Sequence, residues 1–584
     1  MAESKAAEKP KETATAAVAP PEPELAPRAP RWLTRASRRP FAILSLLGLL
    51  LWVPGMLSLP ALDRDESRFA QSSRQMVESG NWVDIRFGQV PRYKKPVGIY
   101  WLQAGATEIA GLVTGSDSQI WTYRIPSLLG GIAAAWLTVW CALAVAGAEA
   151  ALLAGLMILA SVLLTAEATI ATTDAVLLAS VLGMQGVLLR LYRAARDDAA
   201  TEPSGRLVMW GWAAAAAGIL VKFPVVPGVG VATMAGLAAW DRKWDWYSRL
   251  RPLRGLVLTF LLVSPWLIAI AIQSQGAFFQ QSLGNDFATK LAGGQESHGA
   301  PPGYYLLLSA ATFWPSILFV LPGVAQGFAR RAEPGIRFLL VWAAGWWLIV
   351  EAVPTKLPHY VLPAYPPLAI LAAIFVLDPR PVRWRDPARW IAVGQFVIGA
   401  ALFTSAILLG PHYFGAGADW PVLATAGAGA ALALAALIVV ILRKQLIAFL
   451  LAFAAMFVFV PALTALVAPG LEQLWISERL KAIVTAATKP GDPSPAIAGY
   501  QEPSLVFALG ADVVLASGAG AADAGARSGG LALVEDSEKG AFLARLAELQ
   551  ADAAPVGDLS GFNYSRGRRQ HVTVYRVAQL RPLN

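Results

Sequence analysis

The segment 61–102, ALDRDESRFAQSSRQMVESGNWVDIRFGQVPRYKKPVGIYWL, places Asp63, Arg64, Asp65, Glu66, Arg68, Arg74, Glu78, Lys94 and Lys95 directly after the first long apolar run. Ionised groups held close to a bilayer are costly, so they face a water-filled site or one another. Asp65 and Glu66 are paired carboxylates, a type able to take a proton from a hydroxyl or hold it in line for attack. The same pair also suits the N-terminus of a helix through its dipole, with no chemistry implied. Arg68, Lys94 and Lys95 are cations of the kind that hold phosphate, Arg through a fork and Lys as a point charge. Phe69, Ser72, Ser73 and Met76 share one face at helical spacing, which predicts a short helix along the membrane surface with Arg68, Gln71 and Arg74 on its other faces.

Further polar residues recur at the ends of later apolar runs. Asp174 lies in TAEATIATTDA and Lys222 in ILVKFPVVP; Asn285, Asp286, Lys290, Glu296, His298 and Tyr304 lie in GNDFATKLAGGQESHGAPPGYY; Lys356, His359 and Tyr360 lie in PTKLPHYVLPAYPPLA. Simpler roles stand beside chemical ones: Asp174 as a helix N-cap, Lys222 snorkelling to the interface, His298 bonding within its loop, Lys356 marking a helix end. The set Asp65, Arg68 and Lys95 is the one better explained by chemistry than by topology.

The elements that must position these groups are membrane spans. Of 584 residues, 56% are hydrophobic and only 15% charged, the composition of a polytopic α-helical membrane protein. About thirteen segments are long enough to cross, near 41–59, 123–145, 148–165, 170–190, 207–222, 224–240, 253–273, 304–322, 337–353, 360–377, 389–410, 421–442 and 446–467. Residues 1–40 read as a disordered cytoplasmic tail ending in the basic RWLTRASRRP, which makes the first span a retained signal-anchor. Alternate loops then gather arginine: Arg190, Arg193, Arg196 and Arg206; Arg242, Arg249, Arg251 and Arg254; Arg330, Arg331 and Arg337; Arg380, Arg383, Arg385 and Arg389. That bias puts the N-terminus in the cytoplasm and the polar motifs above on the opposite face. The net charge of +9 belongs to these loops and does not indicate nucleic-acid binding. One cysteine, Cys141, excludes an internal disulfide, and four histidines disfavour a multi-histidine metal site.

The segment 41–469 is therefore a transmembrane domain, with 61–122 as its first outer loop, and 470–584 a small extracytoplasmic α/β domain. In the latter PAIAGY, SLVFAL, DVVLAS, LALVED and HVTVYRV read as strands, SEKGAFLARLAELQ as a helix and ASGAGAADAGARSGG as a flexible loop.

With RDESRFA, RYKKPVGIYWLQ, TTDA, VKFP, HGAPPGYY and KLPHYVLPAYPPLA together, the chain resembles the lipid A aminoarabinose transferase family. That family belongs to the GT-C membrane glycosyltransferases, which include the protein O-mannosyltransferases. The resemblance runs from the first span to about residue 380 and implies a GT-C fold in the bacterial inner membrane. It further implies transfer of a sugar, with inversion, from a polyprenyl (undecaprenyl) phosphate donor to lipid A, lipopolysaccharide or a related glycan at the outer face. By the same likeness Asp65, beside Glu66, is the catalytic carboxylate and Asp174 a second one. Arg68, Lys95 and Tyr360, with Lys222 and Lys356, would hold the donor phosphate, and Lys94, His298, Tyr304 and His359 would meet substrate. One departure matters: Lys94 stands where the family usually has a glutamate linked to a divalent metal, so no metal or other cofactor is expected, and a more acidic substrate such as a uronic acid sugar is.

Two competing functions remain at this level. Transfer to a protein hydroxyl would use the same fold. A transporter or flippase would instead carry its charges near the bilayer midplane in matching halves, whereas these cluster at one interface and no internal repeat is visible.

Overall fold

The computed structural model describes residues 29–282, 284, 299–378 and 386–579. Among them nine helices are long and apolar enough to cross a membrane: Pro40–Ser58, Ile120–Ala142, Asp174–Ala194, Pro252–Gln273, Pro334–Ala352, Pro358–Val376, Pro387–Phe414, Trp420–Ile441 and Gln445–Gly470. Pro40, Pro252, Pro334 and Pro387 stand in first turns, where a missing N–H leaves nothing unpaired. The chain is a multi-pass helical membrane protein.

The other expected spans are helical but short, bent or split, so the figure of thirteen is not reached on length and apolarity. Gly205–Lys222 and Val225–Asp241 form a helical hairpin. The run 148–165 is a pair, Ala148–Leu159 and Val162–Thr169, bent by 61°. The run 304–322 divides into Tyr304–Thr312 and Ile317–Ala329. The two breaks lie against each other and satisfy the backbone they free: Val162 N–H donates to the Trp314 carbonyl at 3.2 Å and the Ser316 hydroxyl to the Met157 carbonyl at 3.2 Å. Irregular backbone survives at membrane depth only with such partners. Hydropathy alone does not see them.

Basic residues and the polar motifs stand at opposite ends of single helices. Asp174 opens Asp174–Ala194, and Arg190 and Arg193 close it, roughly 30 Å away at 1.5 Å per residue. At that far end Arg196 pairs with Asp241 at 3.1 Å and Asp245 at 2.9 Å, and Arg337 also pairs with Asp241, joining three loops.

At the near end lie the helix Asp65–Ser79, the two-residue strands β1 (Arg86–Phe87) and β2 (Val90–Pro91), and the C-terminal domain. Phe69, Ser72, Ser73 and Met76 are buried as the spacing predicts, but Glu66, Ser67, Ala70 and Gln71 are buried too. The helix is covered on a second side because the C-terminal domain packs onto it, with Phe507 joining Ala61, Ala70, Tyr123 and Ala171.

That domain is a mixed sheet of β3 (Ala496–Ala498), β4 (Val514–Ala516), β5 (Gly530–Glu535), β6 (Ala553–Asn563) and β7 (Arg568–Val577), in the order β4-β3-β5-β7-β6. Alternation along β3, β5 and β7 sends Ile497, Leu531, Leu533, Val572 and Val574 to one face and Ala498, Ala532, Val534 and Tyr575 to the other. Two expectations are corrected here. SLVFAL is the helix Pro503–Leu509, started by Pro503, not a strand. ASGAGAADAGARSGG is largely the helix Gly518–Ser528, capped by Ser517, not a loop. Its small residues Ala521, Ala522, Gly525 and Ala526 let it lie close on the sheet, and that packing outweighs the low helix propensity of glycine.

Candidate active site

A cavity of about 330 Å3 opens where these elements meet, lined by Asp65, Arg68, Arg92, Lys94, Lys95, Glu167, Asp174, Lys222, His359 and Tyr360 among others. Asp65 and Arg68 come from the first turn of Asp65–Ser79, Arg92 to Lys95 from the link between β2 and the helix Gly98–Thr114. Glu167 ends one half of the bent pair, Asp174 starts its span, Lys222 ends its helix, and His359 and Tyr360 lie in the 3-10 turn Pro358–Ala364. Two glycines make the convergence possible. A Cβ on Gly98 would sit 2.8 Å from the Leu220 carbonyl carbon, and one on Gly130 2.7 Å from the Val176 nitrogen. The first contact brings Lys95 beside Lys222, and the second seats Asp174.

The Asp65 side chain is 62% exposed and so faces the water of the cavity, while Arg92, 8% exposed, reaches it at 3.6 Å. Arg92 is fixed by the Tyr100 hydroxyl at 2.8 Å and stacks 4.9 Å from the Phe69 ring centre. The enclosing walls raise the Asp65 pKa, but Arg92, Arg68, His359 and Lys95 more than offset this and hold it below the ordinary carboxylate range. Asp65 is thus an anion at neutral pH, at a helix N-terminus that favours it. Lys222 Nζ donates to both oxygens of Asp174 at 2.8 and 3.0 Å and stands 5.6 Å from the Tyr360 ring. Thr172 donates to Glu167 at 2.6 Å, and His359 Nδ1 is 3.8 Å from the same carboxyl group.

A second cavity of about 260 Å3 shares a wall with the first: Lys94, Lys95, Asp174, Lys222, His359 and Tyr360 line both. Its remaining lining is mainly apolar, with Leu177, Phe223, Val225, Trp346, Ile349 and Val353. A polar chamber joined to an apolar one through a belt of cations suits an amphiphile with an anionic headgroup.

Glu66 also lines the polar chamber, whereas Lys356 and Tyr304 line neither chamber. Glu66 is buried, and its carboxylate takes Arg124 Nε at 2.7 Å, Arg124 Nη2 at 2.9 Å, Leu62 N–H at 2.8 Å and Ala171 N–H at 2.8 Å. Its acceptor positions are filled, the pattern of a carboxylate that holds structure together. Lys356 donates to the carbonyls of Val350, at 3.0 Å, and Glu351, and lines neither chamber, away from the donor phosphate it was expected to hold. Tyr304 packs edge-on against Tyr305 at 5.1 Å and also lies off both chambers. His298, with Asn285, Asp286, Lys290 and Glu296, lies outside the described residues.

Sequence reasoning missed Arg92, Glu167 and Arg124. The signal for Arg124 is a lone arginine in the apolar run IWTYRIPSLLGG, where an intramembrane charge implies a buried partner. Arg92 and Glu167 stand inside quoted motifs beside residues whose chemistry drew the eye first. Among the described residues no three His, Cys, Asp or Glu side chains are grouped as metal ligands. Lys94, which lines both chambers, is a cation and cannot serve as a ligand to a divalent ion.

The geometry can be set beside known proteins. A family model described as dolichyl-phosphate-mannose-protein mannosyltransferase matches residues 94–268. The undecaprenyl phosphate-alpha-4-amino-4-deoxy-L-arabinose arabinosyl transferase of Edwardsiella ictaluri is 29% identical over 342 residues, 58% of this chain and 57% of its own length. The protein of the same name from Erwinia tasmaniensis is 29% identical over 339 residues, 57% of this chain and 59% of its own. The matched stretch thus spans less than two thirds of these relatives. The crystal structure of ArnT from Cupriavidus metallidurans bound to undecaprenyl phosphate superposes with a TM-score of 0.69 at 19% identity, covering 91% of this chain and 97% of that one. The Archaeoglobus fulgidus oligosaccharyltransferase tethered with an acceptor peptide gives 0.51 at 11% identity, covering 90% and 70%. The likeness to the aminoarabinose transferases drawn from the motifs holds, and the fold is shared with these structures over about nine tenths of the chain.

Proposed function

We propose that the chain is a membrane glycosyltransferase moving a sugar from a polyprenyl phosphate donor to a lipid A, lipopolysaccharide or related glycan acceptor at the outer face of the inner membrane. The observation that carries this reading is the pair of joined chambers, cationic and apolar, with the Asp65 carboxylate facing the cationic one. Similarity to arabinosyl transferases named for an undecaprenyl phosphate sugar supports the donor class.

In the proposed step the acceptor oxygen attacks the anomeric carbon as the bond from that carbon to the donor phosphate breaks. The acceptor proton passes to Asp65, and the bonding pair leaves with the lipid phosphate. Because Asp65 is held as a weak base, it aligns the hydroxyl and takes the proton late, once the oxygen has grown acidic by attacking. The departing phosphate gains charge beside Arg68, Arg92 and Lys95, so these cations stabilise the transition state more than the ground state. Asp174 is the second carboxylate, orienting the acceptor, while Lys222 balances its charge; Tyr360, Lys94 and His359 line the sugar's path. No metal or other cofactor enters the scheme.

The match to a protein mannosyltransferase model over 94–268 favours a second reading, transfer to a protein hydroxyl. Mass spectrometry of lipid A, core glycan and exported proteins from cells with and without the chain separates the two. A sugar-sized mass lost from the lipid or glycan fraction is the expected result. Loss from proteins alone supports the second reading, and no loss in any fraction with altered solute uptake overturns both in favour of transport.

A further inference from the structure

We infer that the C-terminal domain sets the catalytic geometry, Ser504 and Tyr564 acting as positioning residues that grip Asp63, next to Arg64, and so aim Asp65 into the cavity. This rests on the reading of Asp65 as the proton acceptor.

The chain enters the site between two fixed points. Before it, Arg124 uses Nη1 and Nη2 to hold the carbonyls of Met56, Leu59 and Pro60 at 2.7 to 2.9 Å. After it, Glu66 is locked by the same arginine. Only the short stretch between them can set the direction of Asp65. Arg64 in that stretch has φ 65° and ψ −110°, a backbone conformation unfavourable for any residue with a Cβ. Strain of this kind persists where the surroundings over-determine it.

The surroundings here are supplied from the far end of the chain. The Tyr564 hydroxyl accepts from Asp63 N–H at 2.7 Å, Arg64 Nη2 donates to the Ser565 carbonyl at 2.5 Å, and the Ser504 hydroxyl donates to Asp63 Oδ1. These grips are themselves tied together. Glu502 accepts from Asn563 at 2.9 Å and Arg566 at 3.1 Å, linking the turn after β6 to the helix that carries Ser504. Phe507 of that helix packs edge-on against Tyr123 at 5.6 Å, the residue immediately before Arg124 on its span. A domain without a residue in the polar chamber therefore holds the residue beside the proposed base. The twist at Arg64 is the joint through which it acts.

The test uses the full-length protein in lipid nanodiscs with extracted polyprenyl-phosphate sugar. The double variant Ser504→Ala with Tyr564→Phe is expected to lower kcat on the order of tenfold, the scale of a misaimed catalytic group, while donor KM changes less than about twofold because the phosphate cations are untouched. Ser504→Thr, which keeps the hydroxyl, is expected to retain the kcat of the unaltered protein where Ser504→Ala lowers it. If the double variant does not accumulate, Tyr564→Phe alone is measured, with a severalfold fall in kcat expected. Asp65→Asn is assayed alongside. Lost turnover in Asp65→Asn with undiminished kcat in the clamp variants overturns the positioning role and leaves the base intact. Undiminished turnover in Asp65→Asn overturns the base reading itself, and a rise in donor KM at constant kcat assigns Ser504 and Tyr564 to binding instead.

Discussion

Removing the Arg124 side chain tests whether Glu66 is scaffold or chemistry. Arg124 is fully buried, and all five of its N–H groups are used, two on Glu66 and three on backbone carbonyls. Arg124→Met leaves the Glu66 carboxylate buried without its counter-charge, a change that costs about 3–5 kcal/mol when one partner of a buried pair is deleted. The three abandoned carbonyls add to this, since each unsatisfied buried group costs roughly 1–3 kcal/mol. For a chain of this size the expected fall in Tm is on the order of 10 °C, read by thermal unfolding in a fixed detergent. Glu66→Gln should show a comparable loss, and combining Glu66→Gln with Arg124→Gln should cost less than the two single changes together, because no lone charge remains buried. The reasoning is refuted if Glu66→Gln keeps its Tm and binds donor normally yet loses turnover. Glu66 would then belong to the reaction.

Further outcomes follow from the same geometry. Asp65→Asn should bind donor with near-normal affinity and lose turnover by at least about a hundredfold, checked by single-turnover assay. Lys222→Met strands Asp174 beside the cationic belt and should weaken donor binding and lower Tm together, whereas the pair change Lys222→Met with Asp174→Asn should recover Tm. Burial raises the Asp63 pKa to about 6, with Glu502 adding to the rise while Ser504 and Arg64 oppose it. A raised carboxyl pKa stabilises docking fully below the ordinary value of 3.8 and loses that contribution as pH rises through about 6. The protection of residues 61–64 relative to intrinsic exchange should therefore fall between about pH 4 and pH 6, and Asp63→Asn should flatten that dependence. Lys94→Glu should shift selection among donors away from acidic sugars, read by competition between charged and neutral polyprenyl-phosphate sugars, and an unaltered ratio would remove Lys94 from recognition.

Much of this architecture could be read from residue order because two strong signals run through it. Apolar run length located the nine long spans, and arginine placement set the basic ends apart from the polar ones. Neither signal reports tertiary partners. That is why 304–322 reads as one span when the Trp314 carbonyl and Ser316 hydroxyl serve a second break at 160–161. The site was legible where a charge stood out from its background, as with Asp65, Lys95 and His359. It was illegible where a charge is consumed by a distant segment. Glu66 looks as chemical as Asp65 in DRDES, and only the fold reveals that Arg124, 58 positions later, has already claimed it. In the C-terminal domain the alanine and glycine run hid a helix, because its stability comes from the sheet it lies on and not from its own residues.

The knot of Arg196, Arg337, Asp241 and Tyr192 at the far end has a consequence for biogenesis. Basic residues steer insertion while the chain is still threading, and acidic neighbours count for little at that moment. Once the loops assemble, the same guanidinium groups become rivets across them. Replacing Asp241 should then leave each segment correctly inserted yet produce a bundle that fails late, degraded after translocation is complete.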